Sequence, residues 1–219
     1  MNPRLLTLPL FALAIGAALW WHQSQNLPAG VPACTWRIGD RATAAEAFEK
    51  VPADAPIRLA IAGQGSWHWY VMSWSQEDGA IGWFPTPGLS SSLHNPLGGT
   101  RMLLPGERGG RQLGWPMRSG IAGVTTWIAV ASEQPLPELV NHFAAVRQAS
   151  NSVFGDGSMT VVMPPDGKPL DGPRQPLTQA LLQKALASPT EATNGPMTLL
   201  PGRGDIWFAK WSALCATGR

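Results

Sequence analysis

The chain opens on an almost entirely apolar block. Residues 5–21 (LLTLPLFALAIGAALWW) are almost all apolar, Arg4 precedes them, and no further Asp, Glu, Lys or Arg occurs before Arg37. The block is at the short end of the range for a membrane-spanning helix, about 17–25 residues, and slightly longer than the apolar region of a secretory signal, about 7–15. Trp20 and Trp21 suit the far membrane interface, and Arg4 on the inner side directs the rest of the chain outward. The expectation is an uncleaved signal anchor over residues 1–21; cleavage after Ala17 or Ala18 is the alternative. A polar stretch with two Pro and one Gly, residues 22–33, follows as a linker.

Beyond residue 34 the pattern changes to alternation and turns. Thr43 and Glu46 form a capping box that predicts a short helix to about Lys50, stopped by Val51-Pro52. Residues 57–61 (IRLAI) alternate, and 67–74 (WHWYVMSW) are dense in aromatic and β-branched side chains; both read as strands. Glu77-Asp78-Gly79 reads as a hairpin turn into a strand over 80–84, ended by Pro85. Residues 85–100 form a long loop, followed by short strands over 101–104 and 113–118 and a central strand over 124–131. Leu136, Leu139, Val140 and Phe143 share a helical face, with Val146 close to it, in a helix over 136–149. Residues 151–176 read as loop with a short strand over 159–163, and 177–187 as a helix with Leu177, Leu181 and Ala185/Leu186 inward. The last strand, 206–215, turns Trp207, Trp211 and Cys215 to one face and Ile206, Phe208 and Leu214 to the other. The fold class is mainly β, an irregular β-sandwich or barrel with two or three short α-helices, in one domain over 34–219.

Composition sharpens this picture. The 24 Gly and 21 Pro make up about a fifth of the 219 residues, where roughly 12% is usual, and charged residues are only 14%. A net charge of +2 is too balanced for a protein that grips nucleic acid. The two cysteines, Cys34 and Cys215, lie near the two ends of the domain, and in an exported chain an even count is expected to form a disulfide. The four His have no metal-ligand spacing with either Cys, so no metal or other cofactor is expected.

The order of features from residue 69 to about 135 resembles a known family. Tyr70/Val71, Asp78-Gly79, Phe84-Pro85, Asn95/Gly99, Leu104-Pro105, Gly123, and Ala131-Ser132 with Pro135-Leu136 follow one another as they do in the bacterial domain of unknown function 4384. The resemblance covers about 70 of the 219 residues. It implies a non-catalytic module of the kind found beside caspase-like peptidase or protein kinase domains. No such domain is expected beside it in this chain, so a partnership is expected to act in trans. The resemblance supplies no catalytic residue.

Candidate chemistry is sparse. Ser66, His68 and Asp78 could be assembled on paper into a hydrolase triad, but no G-x-S-x-G elbow is present, and Gly63-Gln-Gly65 and Gly98-Gly99 lack the Gly-Lys-Ser/Thr of a phosphate-binding loop. Tryptophan is the richer signal. Trp67 and Trp69 share one face of their strand while His68, Tyr70 and Trp74 share the other, so one face is expected in the core and the other either covered or exposed as an aromatic platform. Trp67, Trp69, Tyr70 and Trp83, with His94 and Asn95 in the 85–100 loop, are the candidate binding residues. The functional expectation is a membrane-anchored binding or regulatory module on the periplasmic side of a bacterial inner membrane, contacting an envelope or membrane protein. The alternatives are an envelope hydrolase and a glycan-binding module using exposed Trp.

Overall fold

In the computed structural model, the described residues are 30–41, 43–52, 55–75, 79–85, 93–98, 101–117, 123–149, 154–155, 158–159, 176–187 and 191–216. They form two main antiparallel sheets and two helices. In the first sheet, β10 (Trp115–Pro116), β3 (Pro56–Ala62), β1 (Ala33–Ile38) and β14 (Gly195–Pro196) lie in that order, and β7 (Arg101–Leu104) also pairs with β3. The second sheet runs β15 (Thr198–Leu199), β16 (Ile206–Ala216), β11 (Val124–Ser132), β4 (Ser66–Ser75), β5 (Gly79–Phe84). β2 (Glu49–Pro52) lies parallel on β16, and β6 (Leu97–Gly98) pairs with β4. Two small hairpins, β8 (Glu107–Arg108) with β9 (Arg111–Gln112) and β12 (Phe154–Gly155) with β13 (Ser158–Met159), complete the strands. The helices are α1 (Pro137–Ala149) and α2 (Pro176–Ala187).

The layers follow from strand alternation. Trp36, Ile57, Leu59 and Ile61 of the first sheet meet Trp67, Trp69, Val71, Trp127 and Trp211 of the second in one core. The opposite face of the second sheet, with Tyr70, Met72, Ile128, Val130 and Phe208, is covered by Leu139 and Phe143 of α1 and by Leu177, Leu181, Leu182 and Ala185 of α2. The second sheet is therefore buried on both sides, which is why β4 carries large side chains on both faces. Both helices begin at a proline, where the missing N–H would have had no helical partner. The Leu136 N–H donates to the Tyr70 hydroxyl at 2.8 Å, tying the start of α1 to β4. The Glu138 carboxylate accepts the Leu177 N–H, holding negative charge at the start of α2.

A bulge lies opposite the Val71/Met72 step, where β4 pairs Val71 with Phe84 but Met72 with Gly82. The extra residue is Trp83, so Trp83 and Phe84 both join the inter-sheet core. Gly82 faces the helix layer, where a Cβ would lie 2.1 Å from the Phe143 ring. A glycine is therefore required for α1 to pack this close.

Several expectations are corrected. The helix over 43–50 does not form. The Ala45 N–H donates to Trp36 O and the Phe48 N–H to Ser212 O, so these amides bridge the two sheets instead of closing helical turns, and Phe48 takes φ 55°. Only Trp115–Pro116 of the expected 113–118 strand pairs, while Arg118 lies outside the described residues. Val140 is exposed because α1 buries the narrower stripe of Leu136, Leu139 and Phe143; the Val146 side chain lies outside the described residues. In α2 it is Leu182, not Leu186, that joins Leu177, Leu181 and Ala185 inside. Met159 lies in β13, and residues 160–163 are outside the described set. So are the apolar block 5–21, the linker as far as residue 29, and the turn residues 76–78. No helix among the described residues is long and apolar enough to cross a membrane.

Cys34 and Cys215 are both buried and form no disulfide in this structure. Cys34 pairs with Gly195, and the chain from there runs beside β16 from Lys210 (bonded by Thr193) to Trp207 (paired with Leu199). Cys34 is thus level with the first half of β16. Cys215 lies beyond Lys210 on that strand, on the order of 16 Å along it at ~3.3 Å per residue, whereas a disulfide needs Cα atoms within about 7 Å. Burial pushes both thiols up from their ordinary pKa.

Two outcomes follow from this packing. Gly82→Ala is expected to cost about 1–3 kcal/mol by overpacking, and Phe143→Ala in the same chain should recover part of that cost; equilibrium urea unfolding of the two singles and the double checks it. Lys210 is buried on the helix-facing side of β16. Burial lowers its pKa, Glu191 opposes the shift and Lys184 adds to it. A lowered folded pKa means the unfolded chain holds the proton more strongly, so the destabilisation is complete below the folded pKa and fades as pH rises to the unfolded value. Lys210→Met is therefore expected to raise the melting temperature at pH 7, with the gain shrinking towards pH 10.5, read by thermal melts across pH.

Candidate functional site

Four of the six candidate residues gather at one edge of β4. Trp67 faces the inter-sheet core, and its indole N–H donates to Gln64 O at 3.0 Å. Its ring lies against the Gly63 backbone, where a Cβ would stand 3.3 Å from the indole nitrogen and 3.7 Å from Pro32 Cα. Opposite Trp67, β6 places Leu97 in register, with Gly98 against Ser66.

Asn95 supplies the next rung. Its side-chain oxygen accepts the Trp69 N–H at 3.0 Å, and its side-chain NH₂ donates to Trp69 O at 2.7 Å. The amide thus occupies the place of a peptide group in a neighbouring strand. β5 then pairs with β4 from Val71 onward. The outer edge of β4 is covered in sequence by β6, by the Asn95 side chain and by β5, which removes an unpaired strand edge. His94 stands exposed beside this clip.

The seam between the sheets here is apolar, lined by Ile61, Gly63, Trp67, Trp69, Leu97 and Met102. It leaves about 10 Å³, room for about one water molecule. Trp67, Trp69, Tyr70 and Trp83 are all buried. Of the two alternatives for the second face of β4, the structure shows the covered one: the first sheet covers one face and the helices cover the other. Tyr70 points away from the seam into the helix layer, where burial pushes its hydroxyl pKa up and the bond from Leu136 partly offsets the push. Trp83 lies in the inter-sheet core with its N–H on Ser73 Oγ at 2.7 Å.

Of the three residues that could form a hydrolase triad, Ser66 and His68 sit at the start of β4, and Asp78 lies outside the described residues. No group of three or more His, Cys, Asp or Glu among the described residues is placed to hold a metal ion.

Sequence reasoning singled out Asn95 but missed its role, and it missed Gly63, Leu97 and Met102 as parts of the seam. A signal for Leu97 was present in the apolar residue that follows Asn95-Pro96 within a polar loop. Nothing in the sequence indicated that Gly63 lies under Trp67.

Asn95→Ala would leave the Trp69 N–H and C=O without their partner, each worth about 1–3 kcal/mol if it stays buried. The expected result is a loss of stability of about 1–3 kcal/mol for each of the two groups that stays buried and faster amide exchange at Trp69 and Leu97, with little change at Trp127, measured by hydrogen exchange with mass spectrometry. Comparisons of the chain with protein-family models, with curated proteins and with solved structures return no match.

Proposed function

We propose that this chain is a non-catalytic binding or regulatory module, anchored by residues 5–21 in a bacterial inner membrane, with its β-domain on the periplasmic side and a protein as its partner. The observation that carries the reading is the loop around His94. Asn95 and Leu97 fasten its base to β4, while His94 stays exposed beside them. A recognition loop held on a rigid sheet presents its side chains without a large ordering cost on binding. The apolar block and the single early Arg4 support the anchor. The ordered motifs that resemble the domain of unknown function 4384 support a regulatory module acting in trans.

No observed geometry favours the glycan reading, since the Trp residues that would form its platform are buried. His94→Glu tests the protein-binding reading because it reverses the chemistry of the exposed side chain and leaves the Asn95 clip in place. The expected outcome is loss of the dominant crosslinked partner from intact cells with an unchanged melting temperature, while Val124→Glu keeps the partner. An identical set of crosslinked proteins from all three chains would defeat the proposal.

A further inference from the structure

The strand register decides which end of the sandwich the N-terminal segment enters. Ala33 pairs with Ala62, and Ala62 pairs with Arg101. The Met197 N–H donates to Pro32 O at 2.9 Å. Ala62 leads through residues 63–65 into Ser66 at the start of β4, where Gly98 and Leu97 pair. On the second sheet, His68 is level with Ser132, and Ser132 with Ile206, so the chain just beyond Ser132 and just before Ile206 is at the same end. The seam, the Asn95 clip and the entry of residues 1–32 therefore share one end of the domain. Ile38, Pro56, Ser75 and Val124 mark the other end.

Residues 22–32 extend at most about 40 Å. With residues 5–21 in the membrane, the end that carries His94 cannot leave a shell of that depth above the bilayer. Among the described residues, its exposed charged or titratable groups are His94, Arg101, Glu133, Arg203 and Asp205. They are of mixed sign, which does not fit a surface attracted to anionic lipid headgroups. It fits a protein surface with charges of both signs. A partner held in the same membrane meets this end at a raised effective concentration.

From this geometry we infer that the His94 end is the membrane-facing end of the domain and that the partner is a protein embedded in the same bilayer. The inference deepens the proposed function and rests on the anchor reading of residues 5–21. The test uses the full chain in intact cells, with the photoreactive residue benzoylphenylalanine in place of Gln64, of His94 or, at the far end, of Val124. All three positions are exposed, and equal protease resistance of the three chains confirms folding. Carbonate extraction then sorts the chain and its adducts into embedded and peripheral fractions.

The expected result is a chain that resists carbonate, with adducts to a carbonate-resistant protein from positions 64 and 94 at least about tenfold stronger than from 124, in line with effective-concentration gains. Adducts that are equal at all three positions, strongest from 124, confined to carbonate-soluble proteins, or absent from an embedded chain would overturn the inference while leaving the anchor intact. Release of the chain itself by carbonate would overturn the anchor reading and the inference with it.

Discussion

Trp127 sits at the centre of the sandwich, and the rest of the inter-sheet packing is arranged around its indole. The rings of Trp83, Trp115 and Trp36 lie 5.3, 6.0 and 6.3 Å from it, and Trp211 stacks on Trp36 at 6.0 Å. The indole N–H groups of Trp83 and Trp211 are bonded to Ser73 Oγ and Glu46 O. Those of Trp36, Trp115 and Trp127 are buried with no acceptor among the described residues. Each such group costs about 1–3 kcal/mol. Burying a tryptophan removes about 150–250 Å² from water, worth about 4–6 kcal/mol at ~25 cal/mol per Å². Burial outweighs the missing bond at each ring, so the cluster is stabilising even with these donors unsatisfied. Ala129, Ala131, Ala209 and Ala213 alternate with Trp127 and Trp211 on the same face of the second sheet and give the rings room.

A core of this kind needs the second sheet to be held flat against the first, and the long strands β4 and β16 would otherwise present bare edges. Both edges are covered by short pieces of chain rather than by full strands. On β4 these are β6, the Asn95 amide and β5. On β16 they are β15, the Thr193 N–H on Lys210 O, the Phe48 N–H on Ser212 O and β2. The high Gly and Pro content belongs to this construction, because segments that pair for two residues and then turn away need frequent breaks. It also places the loop of interest: Asn95 and Leu97 serve the sheet edge, and the exposed His94 is carried by residues that the fold itself requires.

The proposed function depends on that coupling between edge protection and presentation. A loop fastened by a side-chain amide at one end of a sandwich, next to the point where the N-terminal segment enters, stays within the reach of that segment from a membrane that holds it. The two buried thiols lie at different levels of the sandwich and form no disulfide.

Local pattern was sufficient for the long elements. The alternation of 57–61, the aromatic run 67–74 and the β-branched run 124–131 became β3, β4 and β11, and the apolar stripe of α1 was legible in Leu136, Leu139 and Phe143. The two-faced character of residues 206–215 was legible too, because strand alternation separates Trp207, Trp211 and Cys215 from Ile206 and Phe208. What local pattern could not supply was long-range pairing. The capping box at Thr43 and Glu46 has sound helix chemistry, yet the Ala45 and Phe48 amides are taken by Trp36 and by Ser212, far away in the chain. The aromatic density of β4 left open whether one face was exposed, and only the arrival of α1 and α2 closed it. Asn95 was visible as a polar loop residue, but its role depends on the Trp69 peptide being left uncovered between β5 and β6. The sequence by itself determined the long strands β3, β4, β11 and β16 and the two helices, because those follow from side-chain periodicity. Tertiary structure alone decided which faces are buried and which end the candidate site occupies, because both depend on partners distant in the chain.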